Sequence, residues 1–260
     1  MLRLSANLST LFGELPFLDR FAAARRAGFM AVEVQYPYAH AKSDVAAALA
    51  DSGLDLVLVN APPGLQPRDR GLAAIPGRET EFRDGMELAL SWSSALGNRF
   101  VHVLSGVPGE SQSRAACLEV WQANMDWAAE QARAEGVELL LEALNPTDVP
   151  GYFVRSLDDA LALLGRLEGP NVGLLFDVYH CARAGEPVVA QLHACAPWTR
   201  HIQIADAPAR GEPGTGEIDW KAVFSAIAAT GYRGFVGAEY SPRAGTLEGL
   251  GWARPHLENS

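Results

Sequence analysis

Short apolar runs recur along the chain, and after each one the apolar residues return every three or four positions. The runs lie at Leu2–Asn7, Ala31–Gln35, Leu54–Asn60, Phe100–Leu104, Val137–Leu144, Val172–Val178, His201–Ala205 and Phe235–Tyr240. They are rich in β-branched, aromatic and aliphatic residues, as strands buried on both faces are. Between them, Pro16–Ala27, Ser43–Ser52, Glu79–Leu96, Ser111–Ala134, Ser156–Leu167, Pro187–Ala194 and Asp219–Thr230 follow the spacing of amphipathic helices. A final stretch, Thr246–Ser260, is short for a closing helix and contains Pro255.

The punctuation agrees with this parsing. Pro16 suits a first helical turn, and Ser156 with Asp159 makes a capping-box-like start. Gly28, Gly53, Gly97, Gly136 and Gly231 each follow a helical stretch, where a left-handed residue ends the helix, and each leads into a strand. Eight strand–helix repeats in 260 residues match the dimensions of a single (β/α)8 TIM barrel, an α/β fold spanning 1–260 as one domain. A doubly wound open sheet is the competing arrangement. Against it, the Gly214-Thr-Gly216 pair lacks the third glycine of a dinucleotide fingerprint and follows the seventh strand instead of the first.

Composition narrows the partners. A formal net charge of −10 works against a surface that tracks nucleic-acid phosphates, so a small molecule is the expected partner. Three cysteines, Cys117, Cys181 and Cys195, form no CxxC pair, which disfavours a disulfide framework and a thiolate zinc site. No run approaches a membrane span, and the start lacks the pattern of a signal peptide, so the chain reads as soluble and cytoplasmic with no membrane partner. Assembly as a homo-oligomer is left open.

Candidate chemistry gathers at the ends of the last four runs, where Glu142, Asp177, Gln203 and Glu239 stand. In a barrel those ends lie side by side at the functional mouth. Three carboxylates brought together there repel one another unless a cation or a proton intervenes. Hard oxygen donors select Mg²⁺ or Mn²⁺ over zinc, so the four residues form an expected metal ligand set with room for substrate oxygens. His180 follows Asp177 closely and is placed to donate a hydrogen bond to substrate, and His102 is a candidate pocket-lining residue. His201 shares a face with Gln203 but lies deeper, as a supporting residue. Arg210 sits in a glycine-rich loop, 210–217, whose mobility would let it fold over the mouth and hold a carboxylate. The long stretch Asn60–Arg78 is a candidate second lid, Asn7 and Asn60 are weaker substrate contacts, and Asp219 is a helix cap.

Taken together, these residues resemble the xylose isomerase-like metal-dependent barrels, and more closely the hydroxypyruvate isomerase family within them. The likeness is carried by SANLSTLFGELPFLDRFAAARRAGF at Ser5–Phe29, NAPPG at Asn60–Gly64, GLAAIPGRE at Gly71–Glu79, VHVLSG at Val101–Gly106 and LLEALNP at Leu140–Pro146. It continues through FDVYH at Phe176–His180, HIQIAD at His201–Asp206, GEID at Gly216–Asp219, and GAEYSPR with EGLGW at Gly237–Trp252. Many sugar epimerases of the wider group have histidine as third ligand where Gln203 stands here. The resemblance implies that Glu142 and Glu239 bind metal and serve as the catalytic acid/base pair, with substrate contacts by His180 and Arg210. It implies metal-dependent interconversion of hydroxypyruvate and tartronate semialdehyde through an enediolate, acting on a small 2-oxo or hydroxy acid. A 2-oxo-tetronate isomerase is the nearest alternative. A ketose 3-epimerase, an abasic-site phosphodiesterase on the same barrel and a non-catalytic sugar-acid or metal binder stand further off.

Overall fold

In the computed structural model, which describes residues 2–167, 169 and 171–257, eight parallel strands close into one barrel in chain order. The strands are β1 (Arg3–Asn7), β2 (Ala31–Val34), β3 (Asp55–Asn60), β4 (Phe100–His102), β5 (Glu138–Glu142), β6 (Val172–Asp177), β7 (Thr199–Ile204) and β8 (Phe235–Ala238). Around them lie α1 (Asp19–Arg26), α2 (Lys42–Ser52), α3 (Glu79–Leu96), α4 (Arg114–Ala134), α5 (Leu157–Leu164), α6 (Val178–Arg183), α7 (Val188–Cys195), α8 (Trp220–Ala229) and α9 (Thr246–Gly249). The open-sheet alternative is excluded, because β1 pairs with both β2 and β8.

Every predicted strand is present within a few residues of its expected bounds. The strands were legible because burial is nearly complete on both faces: all six residues of β6 are buried. One face packs on the helices, and the other fills the barrel, where Leu58, Phe100, Leu140 and Leu175 form an inner apolar cluster. Ser156 and Asp219 cap α5 and α8 by accepting from the backbone N–H of Asp159 and Ala222. The five glycines that end helical stretches all have positive φ, between 63° at Gly53 and 94° at Gly28.

Two elements differ from expectation. The last part of the chain is a four-residue helix, α9, followed by single 3-10 turns at Leu250–Trp252 and Arg254–His256, and residues 258–260 of the predicted stretch lie outside the described residues. The other is α6, which starts directly after β6 with no intervening loop. Asp177 ends the strand and caps this helix, its Oδ1 accepting the Tyr179 N–H at 2.8 Å. A six-residue helix is too short to show a periodicity of its own.

Candidate active site

Alternation along each strand turns every second side chain into the barrel, and at the carboxyl ends these inward positions are polar. Asn7, Asn60, His102, Glu142, Asp177, Gln203 and Glu239 are all buried there. The structure therefore brings the four expected ligand residues to one mouth, together with His180, His102 and Arg210.

Glu239 is the most heavily contacted of them. Its Oε2 accepts from Asn7 Nδ2 at 2.9 Å and Gln203 Nε2 at 2.7 Å, and its Oε1 from Gln35 Nε2 at 3.0 Å and an Arg210 Nη at 2.6 Å. The same guanidinium stands 3.6 Å from Asp177 Oδ2 and 5.0 Å above the Tyr179 ring. Glu142 has no comparable set of donors. His102 Nε2 stands 3.4 Å from its Oε2, and that nitrogen is buried and has no hydrogen-bond partner among the described residues. Burial, followed by the neighbouring His180 and His201, holds His102 neutral with a pKa lowered to about 3.

The cluster is short of positive charge. Arg210 is one cation facing Glu142, Asp177 and Glu239. Burial first, then the charges of Asp177 and Glu239, push the Glu142 carboxyl well above its ordinary range. Burial also raises Glu239, to about 7, with Asp177 and Glu33 adding to it and Arg210 opposing. Four donors stabilise an ionised Glu239, so the proton retained by the cluster belongs on Glu142.

Oxygen donors in excess of counter-charge, and an unpartnered imidazole nitrogen aimed at one of them, fit a divalent cation. Ligand atoms of Glu142, Asp177 and His180 lie within 4.8 Å of one another. His180 enters this group by proximity, but its protonation suits another role. Its Nδ1 accepts the Asn145 backbone N–H at 3.1 Å, so the neutral ring carries its proton on Nε2 and presents a donor to the mouth. Gln203 donates both amide protons, to Glu33 and Glu239, which leaves its oxygen as the free end.

A consequence is measurable. Because burial and neighbouring charge raise both Glu142 and Glu239, and a ligating carboxylate must be ionised, Mn²⁺ binding at mildly acid pH is expected to release protons to the buffer. Calorimetry in buffers of different ionisation enthalpy reads this directly, and no buffer dependence would contradict the charge assignment.

Several contributors were not singled out from the sequence. Glu33, in β2, is buried and accepts from Ser5 Oγ, from His201 Nε2 at 2.8 Å and from Gln203 Nε2 at 2.8 Å. Burial opposes its charge, but His201, Ser5 and Gln203 together hold its carboxyl below the ordinary range. Gly237 on β8 makes room for it, since a Cβ there would fall on the Glu33 carboxylate. Gln35 and Asn145 were missed as well. None of the three stands in a local pattern that separates it from an ordinary polar strand end or loop.

The glycine-rich loop reaches the mouth differently from the expectation of mobility. Asp206 anchors it, with Oδ2 accepting from Gly214 N, Gly216 N and Trp220 Nε1 at 2.8 to 2.9 Å and Oδ1 from Ile218 N at 3.2 Å. Gly216 packs so closely on Ala207 and Asp206 that a side chain has no space. Arg210 adopts φ 54°, uncommon for a residue with a Cβ, and its carbonyl accepts the Ser241 N–H at 2.8 Å. The stretch after β3 is likewise tied down, with Arg78 paired to Asp69 at 2.6 Å and Glu81 at 2.7 Å. Its tip at residues 65–68 is exposed, Leu65 to 89%.

Comparison with known proteins agrees with this architecture. Residues 21–256 match the family model described as xylose isomerase-like TIM barrel. A solved structure described as an AP endonuclease, family 2, from Brucella melitensis superposes with a TM-score of 0.96 at 40% identity, covering 99% of this chain and 100% of that one. The fold and mouth thus define a xylose isomerase-like barrel. The 2-oxo-tetronate isomerase of Cupriavidus necator is 42% identical, over 99% of each chain, and the hydroxypyruvate isomerase of Escherichia coli is 39% identical, over 98% of this chain and 100% of its own length. The chain belongs to the hydroxypyruvate isomerase family and is an isomerase of that family. No helix among the described residues is long and apolar enough to cross a membrane.

Proposed function

We propose that this isomerase interconverts hydroxypyruvate and tartronate semialdehyde, with Glu142 and Glu239 moving the proton. The observation that carries the reading is the pair of buried glutamates on β5 and β8, both with raised pKa, facing one mouth with Asp177 and Arg210. Carboxylates poised toward neutrality exchange protons with carbon acids far better than solvated ones.

The cation would be Mg²⁺ or Mn²⁺, held by Glu142, Asp177, the Gln203 oxygen and Glu239, and when bound it acidifies the C–H next to the substrate carbonyl. One glutamate removes a proton from C3 of hydroxypyruvate, leaving the electron pair in the C2–C3 bond of an enediolate. A proton is then returned to C2, the hydroxyl proton passes from O3 to O2, and an aldehyde forms at C3, so no atom is gained or lost. His180 Nε2–H donates to a substrate oxygen. Arg210 holds the substrate carboxylate, exchanging part of its contact with Glu239 for the ligand, and His102 lines the pocket behind Glu142. Burial excludes water from the enediolate and strengthens each of these interactions.

The second reading is 2-oxo-tetronate, favoured by the 42% identity to an isomerase of that substrate. The chemistry is the same with one more hydroxymethylene carbon to house. A mouth lined by carboxylates is poorly suited to a phosphodiester backbone. The deciding experiment strips the protein of metal, restores Mg²⁺ or Mn²⁺, and compares kcat/KM for both acids in one assay. A preference for hydroxypyruvate supports the proposal, preference for the four-carbon acid transfers the mechanism to that substrate, and no cation-dependent turnover of either rejects both.

A further inference from the structure

We propose that the opposite mouth of the barrel, at the amino ends of the strands, is a binding site for a compact multivalent anion such as a phosphorylated or polycarboxylate metabolite. A cavity of about 570 Å³ opens there above Val57, Phe100 and Phe235, a volume within the range of small-molecule pockets. Arg3, Arg99, Arg200 and Arg233 line it, brought together from the starts of β1, β4 and β7 and the turn before β8. This concentration runs against the chain, in which 31 acidic residues outnumber 21 basic ones. Asp55 is the one carboxylate in the lining.

Two of the arginines have a structural explanation. Glu138 binds Arg99 at 2.6 Å and Arg200 at 3.4 Å, stitching β5 to its neighbours. Arg3 and Arg233 have none: neither is in an ion pair among the described residues. Arg3 lies over the Phe235 ring at 4.0 Å, which orients its guanidinium while leaving the N–H edge open. Arg99 stands over Phe100 at 5.1 Å in the same manner. Guanidiniums gathered around one concavity repel one another, and a multivalent anion relieves that repulsion while satisfying their paired N–H groups. Leu140, Leu175 and His201, buried one layer below Glu142, Asp177 and Gln203, lie between this cavity and the catalytic mouth, so the two sites are distinct.

The test titrates inorganic phosphate into the cation-loaded protein by calorimetry, with the Arg3→Ala/Arg233→Ala double variant and Arg210→Ala alongside. Saturable binding at one site is expected, weakened about tenfold or more in the double variant and unchanged by Arg210→Ala. Both arginines are exposed, so the double variant should keep its fold and its isomerase turnover, which are checked in the same preparation. Absence of saturable binding overturns the proposal. So does phosphate binding that survives the double variant and disappears with Arg210→Ala, which would place the anion in the catalytic mouth.

Discussion

Replacing Glu239 by glutamine is expected to lower kcat by roughly a hundredfold to ten-thousandfold, the contribution of a positioned acid or base. The substitution keeps the side chain's size and removes its ability to take a proton. It also disturbs the cluster in a defined way. Asn7, Gln203, Gln35 and Arg210 all donate to this carboxylate, and a glutamine offers an NH₂ where two of those donors need an acceptor. Cation affinity should therefore fall without vanishing, because Glu142 and Asp177 remain. Steady-state kinetics, a cation titration and circular dichroism on one preparation separate these effects. Turnover close to that of the unchanged enzyme, with the fold intact, would refute the two-glutamate mechanism.

The second large effect concerns Glu33, which touches no substrate in the proposed scheme. Removing it by Glu33→Ala leaves Ser5, His201 and Gln203 with unanswered polar groups in a fully buried position, an expected loss of about 3–5 kcal/mol. For a chain of this length that is on the order of 10 °C in Tm. Activity should fall as well, since Glu33 accepts from the Gln203 NH₂ and so keeps the amide oxygen as the free end. Glu33→Gln makes the sharper test of this orienting role. Its own NH₂ would favour the Gln203 oxygen, and the amide should turn over, weakening cation affinity by more than it lowers stability. Denaturant midpoints and cation titrations on both variants report the two quantities separately. A Glu33→Ala protein with unchanged midpoint would show that the buried network contributes little.

These expectations divide according to what local sequence can carry. The barrel was legible because parallel strands buried on two faces read as uninterrupted apolar runs, and the glycine after each helical stretch marks where the chain must turn back. The four mouth residues on β5 to β8 stood out for a related reason, as polar groups ending otherwise apolar runs. Glu33 interrupts a run in the same way, but nothing within Ala31–Val34 reveals that it will meet His201, 168 positions away. That pairing exists only because β2 and β7 face one another across a closed barrel. Asp206 stands in the HIQIAD segment with no role visible locally, because three of its four donors are backbone N–H groups, and backbone donors leave no residue signature.

The lid reading of the glycine-rich loop has the same origin. Glycine is compatible with mobility and with close packing, and composition does not separate them. The contacts made by Gly216 with Ala207 and Asp206 assign it to packing. Likewise the role of His180 turns on its tautomer, which depends on the Asn145 backbone N–H accepted at Nδ1 and not on the spacing from Asp177.

By itself, then, the sequence determined the barrel, the order of its elements and the strand ends at which buried polar groups gather, since these follow from burial patterns and turn residues that act over a few positions. Only the tertiary structure decided which carboxylate retains the proton, which atoms of His180 and Gln203 face the mouth, and that arginines from three strand starts and a turn share one cavity at the far end. Those properties depend on distances between residues remote in the chain, and such distances are set when the barrel closes.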